Sequence, residues 1–198
     1  MPRKSAGKPA SNQIRIVGGK WRGRKLQFPS VGGLRPTGDR IRETLFNWLG
    51  QNLSGTRVLD LFAGSGALGI EALSRGAAFA QFVDTNPQAC QCLEDSLSNL
   101  SADNCSVVQQ TAEGFLRSAR PSSVDILFLD PPFADNQLTL VCEQIDMFGI
   151  LASKAQVYIE CARNTKVTLP KNWVSLKKKE AGDVCYQLLQ VDCDSAPI

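Results

Sequence analysis

Asp130-Pro131-Pro132-Phe133 follows the apolar run Val124 to Leu129 and sets a carboxylate, two prolines and an aromatic ring in four successive positions. Two prolines fix two φ angles and remove two N–H donors, so the corner they make is stiff and its outward carbonyls act only as acceptors. Asp130 adds a charged acceptor and Phe133 a flat apolar face. That set suits a planar group carrying an exocyclic NH2: the ring stacks on Phe133, while Asp130 and the Pro131 carbonyl accept the two amine hydrogens. An amine conjugated to a ring is a poor nucleophile because its lone pair is delocalised. Two hydrogen bonds that favour a pyramidal nitrogen oppose the delocalisation and aim the lone pair at an electrophilic methyl, through positioning and preorganised charge. Taken alone, the same residues are also a proline pair that ends a strand before a loop.

A second chemical signal lies in Asp60-Leu-Phe-Ala-Gly-Ser-Gly-Ala-Leu-Gly69. Gly64, Gly66 and Gly69 fit G-x-G-x-x-G after a strand and into a helix, where a ligand can lie against bare backbone and the helix N-terminus. Asp84 ends the next strand, where a carboxylate can accept both hydroxyls of a ribose. Dinucleotide enzymes and methyltransferases share this much. Asp60 leans towards the latter, since a carboxylate at that strand end opposes a pyrophosphate but suits a sulfonium or an amino group. A turn or capping aspartate is the other reading of Asp60.

These residues need a scaffold, and the pattern supplies one. Residues 57–62, 79–84, 105–110, 124–130 and 155–161 read as buried strands. Helical segments at 66–76, 87–100, 112–119 and 136–148 alternate with them, which predicts a mainly parallel sheet covered on both faces. Strand 124–130 is the fourth of this series, so its carboxyl end faces the crevice at the first strand. "WVSLKKKEAG" and 183–191 have no helix between them and predict an antiparallel pair at the end. Upstream, Gln13 to Phe28 reads as a hairpin turning at Gly18-Gly19 and resuming around Trp21. A helix follows across 37–50, with Ile41, Leu45, Trp48 and Leu49 on one face and Asp39 as its cap.

The 198 residues carry a net charge of only +3, which hides an asymmetry: 1–42 hold 11 Lys/Arg against Asp39 alone, and the remainder is acidic. A basic arm favours a polyanionic partner through counterion release. Met1 to Ala10 reads as a disordered leader, whereas Arg15 to Lys25 alternates basic with apolar residues and reads as a binding ribbon. The first thirty residues lack the apolar core of a signal peptide, and no run approaches a membrane span. Seven cysteines without a Cys-x-x-Cys pair, and no histidine, argue against a zinc site and for reduced packing thiols in the cytoplasm. Without histidine, Ser-His and Cys-His nucleophilic chemistry is excluded.

"QIRIVGGKWRGRKL", "LRPTGDRIRETLFNWL", "DLFAGSGALGIEALSRGA" and "FLDPPF" occur in this order, and the chain from Gln13 to Val191 resembles the RsmD-type methyltransferases, the 16S rRNA (guanine(966)-N(2))-methyltransferase family. The resemblance implies an α/β class I S-adenosylmethionine-dependent methyltransferase. Its Rossmann-like sheet would have seven mostly parallel strands, an antiparallel last strand and an N-terminal basic β-hairpin. It implies a leader at 1–12, an RNA-binding extension at 13–50 and a catalytic domain at 51–198. Asp130, Pro131, Pro132 and Phe133 match the catalytic motif. Asp60, Phe62, Gly64, Ser65, Gly66, Asp84 and Thr85 would line S-adenosylmethionine, with Thr111 and Ala112 at its adenine. Thr111 departs from the Asn or Asp frequent there, which puts a side-chain bond to the adenine amine in question. Arg15, Lys20, Arg22, Arg24, Lys25, Arg35, Arg40 and Arg42 match RNA-contacting regions, although Arg35 or Arg42 could instead brace the active site. The implied partner is 16S rRNA in an assembled or assembling small subunit, met by a monomer without metal or membrane.

Rival readings remain. An enzyme acting on adenine N6 or on a protein glutamine would use the same acceptor corner. An NAD(P)-dependent oxidoreductase explains the glycine turn and Asp84 but neither the Pro-Pro-Phe corner nor the basic arm. A non-catalytic RNA-binding assembly factor leaves Asp130 without a task.

Overall fold

The computed structural model describes residues 12–28, 38–132 and 137–192. Nine strands and five helices are formed among them. Asn12–Arg15 (β1) and Lys25–Phe28 (β2) pair antiparallel as a separate two-stranded ribbon. The expected second strand therefore starts later, because Lys20 to Gly23 form the turn. Alternation dictates the ribbon's faces: Ile14, Leu26 and Phe28 point inward and are buried, whereas Arg15 and Lys25 lie opposite each other in exposed positions.

Asp39–Leu49 forms α1, whose buried side chains are Arg42, Leu45 and Phe46, with Ile41, Trp48 and Leu49 packed alongside. Asp39 is not its cap. Gly38 occupies the N-cap without a side-chain bond, and the Asp39 carboxylate instead accepts from Arg42 at 2.6 Å.

The main sheet is built from Arg57–Asp60 (β3), Phe79–Asp84 (β4), Cys105–Gln109 (β5), Val124–Leu129 (β6), Leu151–Ala162 (β7), Trp173–Ala181 (β8) and Val184–Val191 (β9). Their spatial order is β5-β4-β3-β6-β7-β9-β8. The first five are parallel, and β9 runs antiparallel to both β7 and β8. Helices Ala67–Ser74 (α2), Pro87–Asn99 (α3), Ala112–Ser118 (α4) and Leu138–Phe148 (α5) connect the strands. α1, α2 and α3 cover one face, sharing a core with Val58, Phe82, Ile126, Phe128, Tyr158 and Tyr186. On the other face α4 and α5 lie over Leu59, Leu127, Leu129, Val157 and Ile159.

β3 lies between β4 and β6, so the chain reverses its direction of growth there and a crevice opens at the strands' carboxyl ends. β3 itself ends at Asp60, two residues before the expected Phe62, as the chain bends into the glycine turn.

The ribbon is bolted to the sheet layer rather than merely appended. The Lys20 N–H donates to the Ser74 carbonyl at 2.7 Å, the Trp21 N–H to Ser74 Oγ at 2.9 Å, and Ser74 Oγ to the Gly18 carbonyl at 2.6 Å. Val17 N–H reaches Glu71 Oε2 at 2.8 Å. Glu71, with its side chain wholly buried, also pairs with Arg75 at 2.9 Å and lies 3.6 Å from Arg42 Nη1. The Arg75 guanidinium sits over the Phe46 ring.

Candidate active site

Alternation and register decide which side chains meet at the crevice. Asp60 is level with Phe82 of β4 and with Phe128 of β6, and Phe128 is level with Tyr158 of β7. Parallel neighbours at the same level share a face, so Asp60 lies on the α1/α2/α3 side. Two residues beyond Phe82, Phe128 and Tyr158 come Asp84 at the end of β4, Asp130 just past β6 and Glu160 near the end of β7, returned by alternation to that face. Four acidic residues thus rim the crevice across four adjacent strands. Such a rim opposes phosphate and accepts from cations and N–H donors.

Asp60 is 3% exposed and accepts the Gly69 N–H at 3.0 Å, one of the orphan donors of the first turn of α2. The capping reading of this aspartate is therefore seen directly. Burial pushes its carboxyl up to about 7, the Gly69 bond opposes that rise, and the nearby Asp84 charge adds to it. Gly69 is required by packing: a Cβ there would collide with the Phe82 ring, so α2 could not lie this close to β4.

Asp84 fastens the glycine turn to the end of β4. Its Oδ2 accepts the Gly64 N–H at 2.7 Å and its Oδ1 the Asn86 N–H at 2.8 Å, while the Ala63 N–H donates to the Val83 carbonyl. Asn86, between Thr85 and α3, caps that helix through Gln88 and Ala89. Thr85 is exposed, Phe62 is half-buried, and Ser65 and Gly66 are buried. Thr111 caps α4, its Oγ1 accepting the Gly114 N–H at 3.1 Å, and Ala112 is the first residue of that helix. The Thr111 oxygen is therefore engaged locally, leaving its O–H as the group it could offer a ligand.

At the mouth of β6, Asp130 is half-buried, Pro131 buried and Pro132 exposed. Phe133 lies outside the described residues. Pro131 and Pro132 line a small cavity with Leu138, Glu160, Cys161, Ala162 and Thr165. Sequence reading missed Glu160, although a charged residue inside "AQVYIEC" was the signal. It is 4% exposed, and Tyr158 Oη donates to its Oε2 at 2.8 Å. Burial, and then the Glu160 and Asp130 charges, hold the Tyr158 hydroxyl well above its ordinary range.

The basic residues divide. Arg15, Lys20, Arg22, Arg24, Lys25 and Arg40 are exposed, with Lys20 over the Trp21 ring and Arg24 donating to the Asn99 carbonyl at 2.8 Å. Arg35 lies outside the described residues. Arg42 is corrected: it is 0% exposed, donates to the Arg15 carbonyl at 2.8 Å and pairs with Asp39 and Glu71, so it is a strut and not part of an RNA-facing surface. Six described cysteines are free thiols, and burial raises Cys142 to about 12 and Cys161 to about 11. Among the described residues no group of side chains is arranged to hold a metal, and no helix is long and apolar enough to cross a membrane.

Seven strands in this order, with a glycine turn after β3 and an Asp-Pro-Pro corner after β6, define a class I methyltransferase. Residues 14–190 match the family described as Conserved hypothetical protein 95. Ribosomal RNA small subunit methyltransferase D of Escherichia coli K12 is 46% identical over 181 residues, 91% of each chain. The solved Escherichia coli protein yhhF superposes with a TM-score of 0.83 at 43% identity, covering 91% of this chain and 99% of its own. P. horikoshii TYW2, solved with MeSAdo, shares the fold alone: TM-score 0.65 at 14% identity, over 93% of this chain and 71% of its own. The chain belongs to the ribosomal RNA small subunit methyltransferase D family.

Proposed function

We propose that this protein transfers a methyl group from S-adenosylmethionine to the exocyclic N2 amine of one guanine in 16S rRNA, acting as a cytoplasmic monomer on an assembled or assembling small subunit. The observation that carries the reading is the Asp130-Pro131-Pro132 corner. It stands at the carboxyl end of β6, beside the glycine turn of β3 and on the same sheet face as Asp60.

The crevice residues suit the donor. Asp60, a buried carboxyl held near neutrality, gains a counter-charge from a cationic ligand. Asp84 sits where a ribose diol would lie, Gly64, Ser65 and Gly66 offer bare backbone, and Phe62, Thr85, Thr111 and Ala112 border the same crevice. When bound, S-adenosylmethionine supplies a methyl on a cationic sulfur. Asp130 and the Pro131 carbonyl accept the two amine hydrogens and aim the nitrogen lone pair, with Phe133 assigned to stack the ring. Transfer of that methyl would leave the sulfur neutral and the amine with one proton too many, which Asp130, already accepting an amine hydrogen, would pass to water. The exposed basic ribbon, with Arg35 and Arg40, is assigned to rRNA phosphates.

The test is nucleoside mass mapping of small-subunit rRNA from cells lacking the protein. One guanine should lose a methyl group and regain it on complementation. Complementation by Asp130→Ala would remove the acceptor role, because that variant should lose at least 100-fold in rate while keeping its cofactor affinity.

A further inference from the structure

Of the four acidic residues that alternation brings to this face, Glu160 is the one to which the proposed reaction assigns no role. It stands on β7, next to the strand that carries Asp130, and both follow a level pair, Phe128 and Tyr158, by two residues. Neighbouring strands lie about 4.8 Å apart, so the two carboxylates stand side by side on one face. The Tyr158 hydroxyl fixes Glu160 from below at 2.8 Å, and the cavity that Glu160 lines is walled by Pro131 and Pro132.

We infer that Glu160 is the specificity residue for the base: its carboxylate accepts the ring N1–H of guanine while Asp130 and the Pro131 carbonyl hold the adjoining N2 amine. The inference rests on the guanine reading above and supplies its reason. Guanine presents two donors on adjoining positions, the ring N1–H and the N2 amine, which match two neighbouring acidic acceptors. Adenine presents its N6 amine beside N1, whose lone pair would face the Glu160 carboxylate. A site built to accept a hydrogen bond discriminates strongly against a base that cannot donate it.

The test uses the full-length protein, S-adenosylmethionine, and unmethylated small subunits carrying either guanine or adenine at the target position. Methylguanosine formed by the unaltered protein establishes the parent reading; its absence would sink that reading before Glu160 is tested. Given that activity, Glu160→Ala should lose about 100-fold in kcat/KM on guanine subunits, with cofactor affinity within about threefold. Glu160→Gln, nearly isosteric and so the safer variant for folding, should lose less. Its amide can also donate to adenine N1, so its ratio of adenine to guanine methylation should rise at least tenfold. A merely structural Glu160 would move melting temperature and leave that ratio alone. An unchanged ratio in Glu160→Gln, or a normal rate in Glu160→Ala, overturns the inference.

Discussion

At the scale of single residues, Asp60 carries the sharpest physical consequence. Its carboxyl is raised from 3.8 to about 7 in the folded chain, first by burial. Between those two values the folded state binds more protons than the unfolded one, so this group makes stability fall as pH rises from about 4 to about 7, with no further loss above. Asp60→Asn keeps an oxygen for the Gly69 N–H but removes the charge. Its melting temperature should therefore exceed that of the parent at pH 8, and the gap should close towards pH 5. A ligand cation engaging Asp60 would reverse the burial penalty and expel the proton. Calorimetric heats for S-adenosylmethionine near pH 7 should accordingly differ between buffers of low and high ionisation enthalpy, by up to about half a proton released, since the group is about half protonated there. In Asp60→Asn that difference should shrink; equal heats in both proteins would place the cationic end elsewhere.

Among the elements, the decisive contact is the one between the ribbon and α2, because α2 begins at the glycine turn and ends at the bolt. Glu71 balances two buried arginines there. Glu71→Gln removes the carboxylate that Arg75 and Arg42 share, although Asp39 still faces Arg42, and loss of one member of such a group costs about 3–5 kcal/mol, measurable as a lowered urea midpoint. Gly19 has φ +72, and a Cβ there would drive into the Ser74 carbonyl. Gly19→Ala should undock the turn, opening Lys20 to Lys25 to limited trypsin cleavage while the sheet stays protected. Loss of protection throughout would mean that ribbon and sheet fold as one unit. The strands and helices were legible from apolar periodicity, which is local. The bolt was not, because it joins residues more than fifty positions apart, and nothing local to Glu71 pairs it with the ribbon. Arg42 misled for the same reason: besides Asp39 on its own helix, it reaches Glu71 and the Arg15 carbonyl on other elements. The crevice was legible through Gly64 to Gly69, Asp84 and Asp130, whose types are local, but Glu160 needed the β6/β7 register to be seen beside Asp130.

Across the whole molecule, charge is sorted. The basic excess lies in the N-terminal segment and the acidic rim lies in the crevice, so a polyanion is attracted to one place and repelled from the other. Arg15 and Lys25 sit directly opposite each other across the ribbon, an arrangement that costs some stability in isolation. Trp21, Ile16 and Leu26 anchor the ribbon from beneath in the shared core, so its charges are free to serve recognition rather than folding. The triple variant Arg15→Ser, Arg22→Ser, Lys25→Ser should therefore melt at or above the parent temperature while binding rRNA more weakly. Arg24 is left in place because its guanidinium already holds the Asn99 carbonyl. Each phosphate contact contributes a salt slope of roughly −0.7 to −0.9 in log K against log salt. Removing three contacts should flatten the slope by about 2 to 3, measured by fluorescence titration of labelled rRNA between 50 and about 200 mM salt. Weaker binding at an unchanged slope would mean that the ribbon contacts bases rather than phosphates. An unchanged affinity would move the RNA-binding surface away from the ribbon altogether.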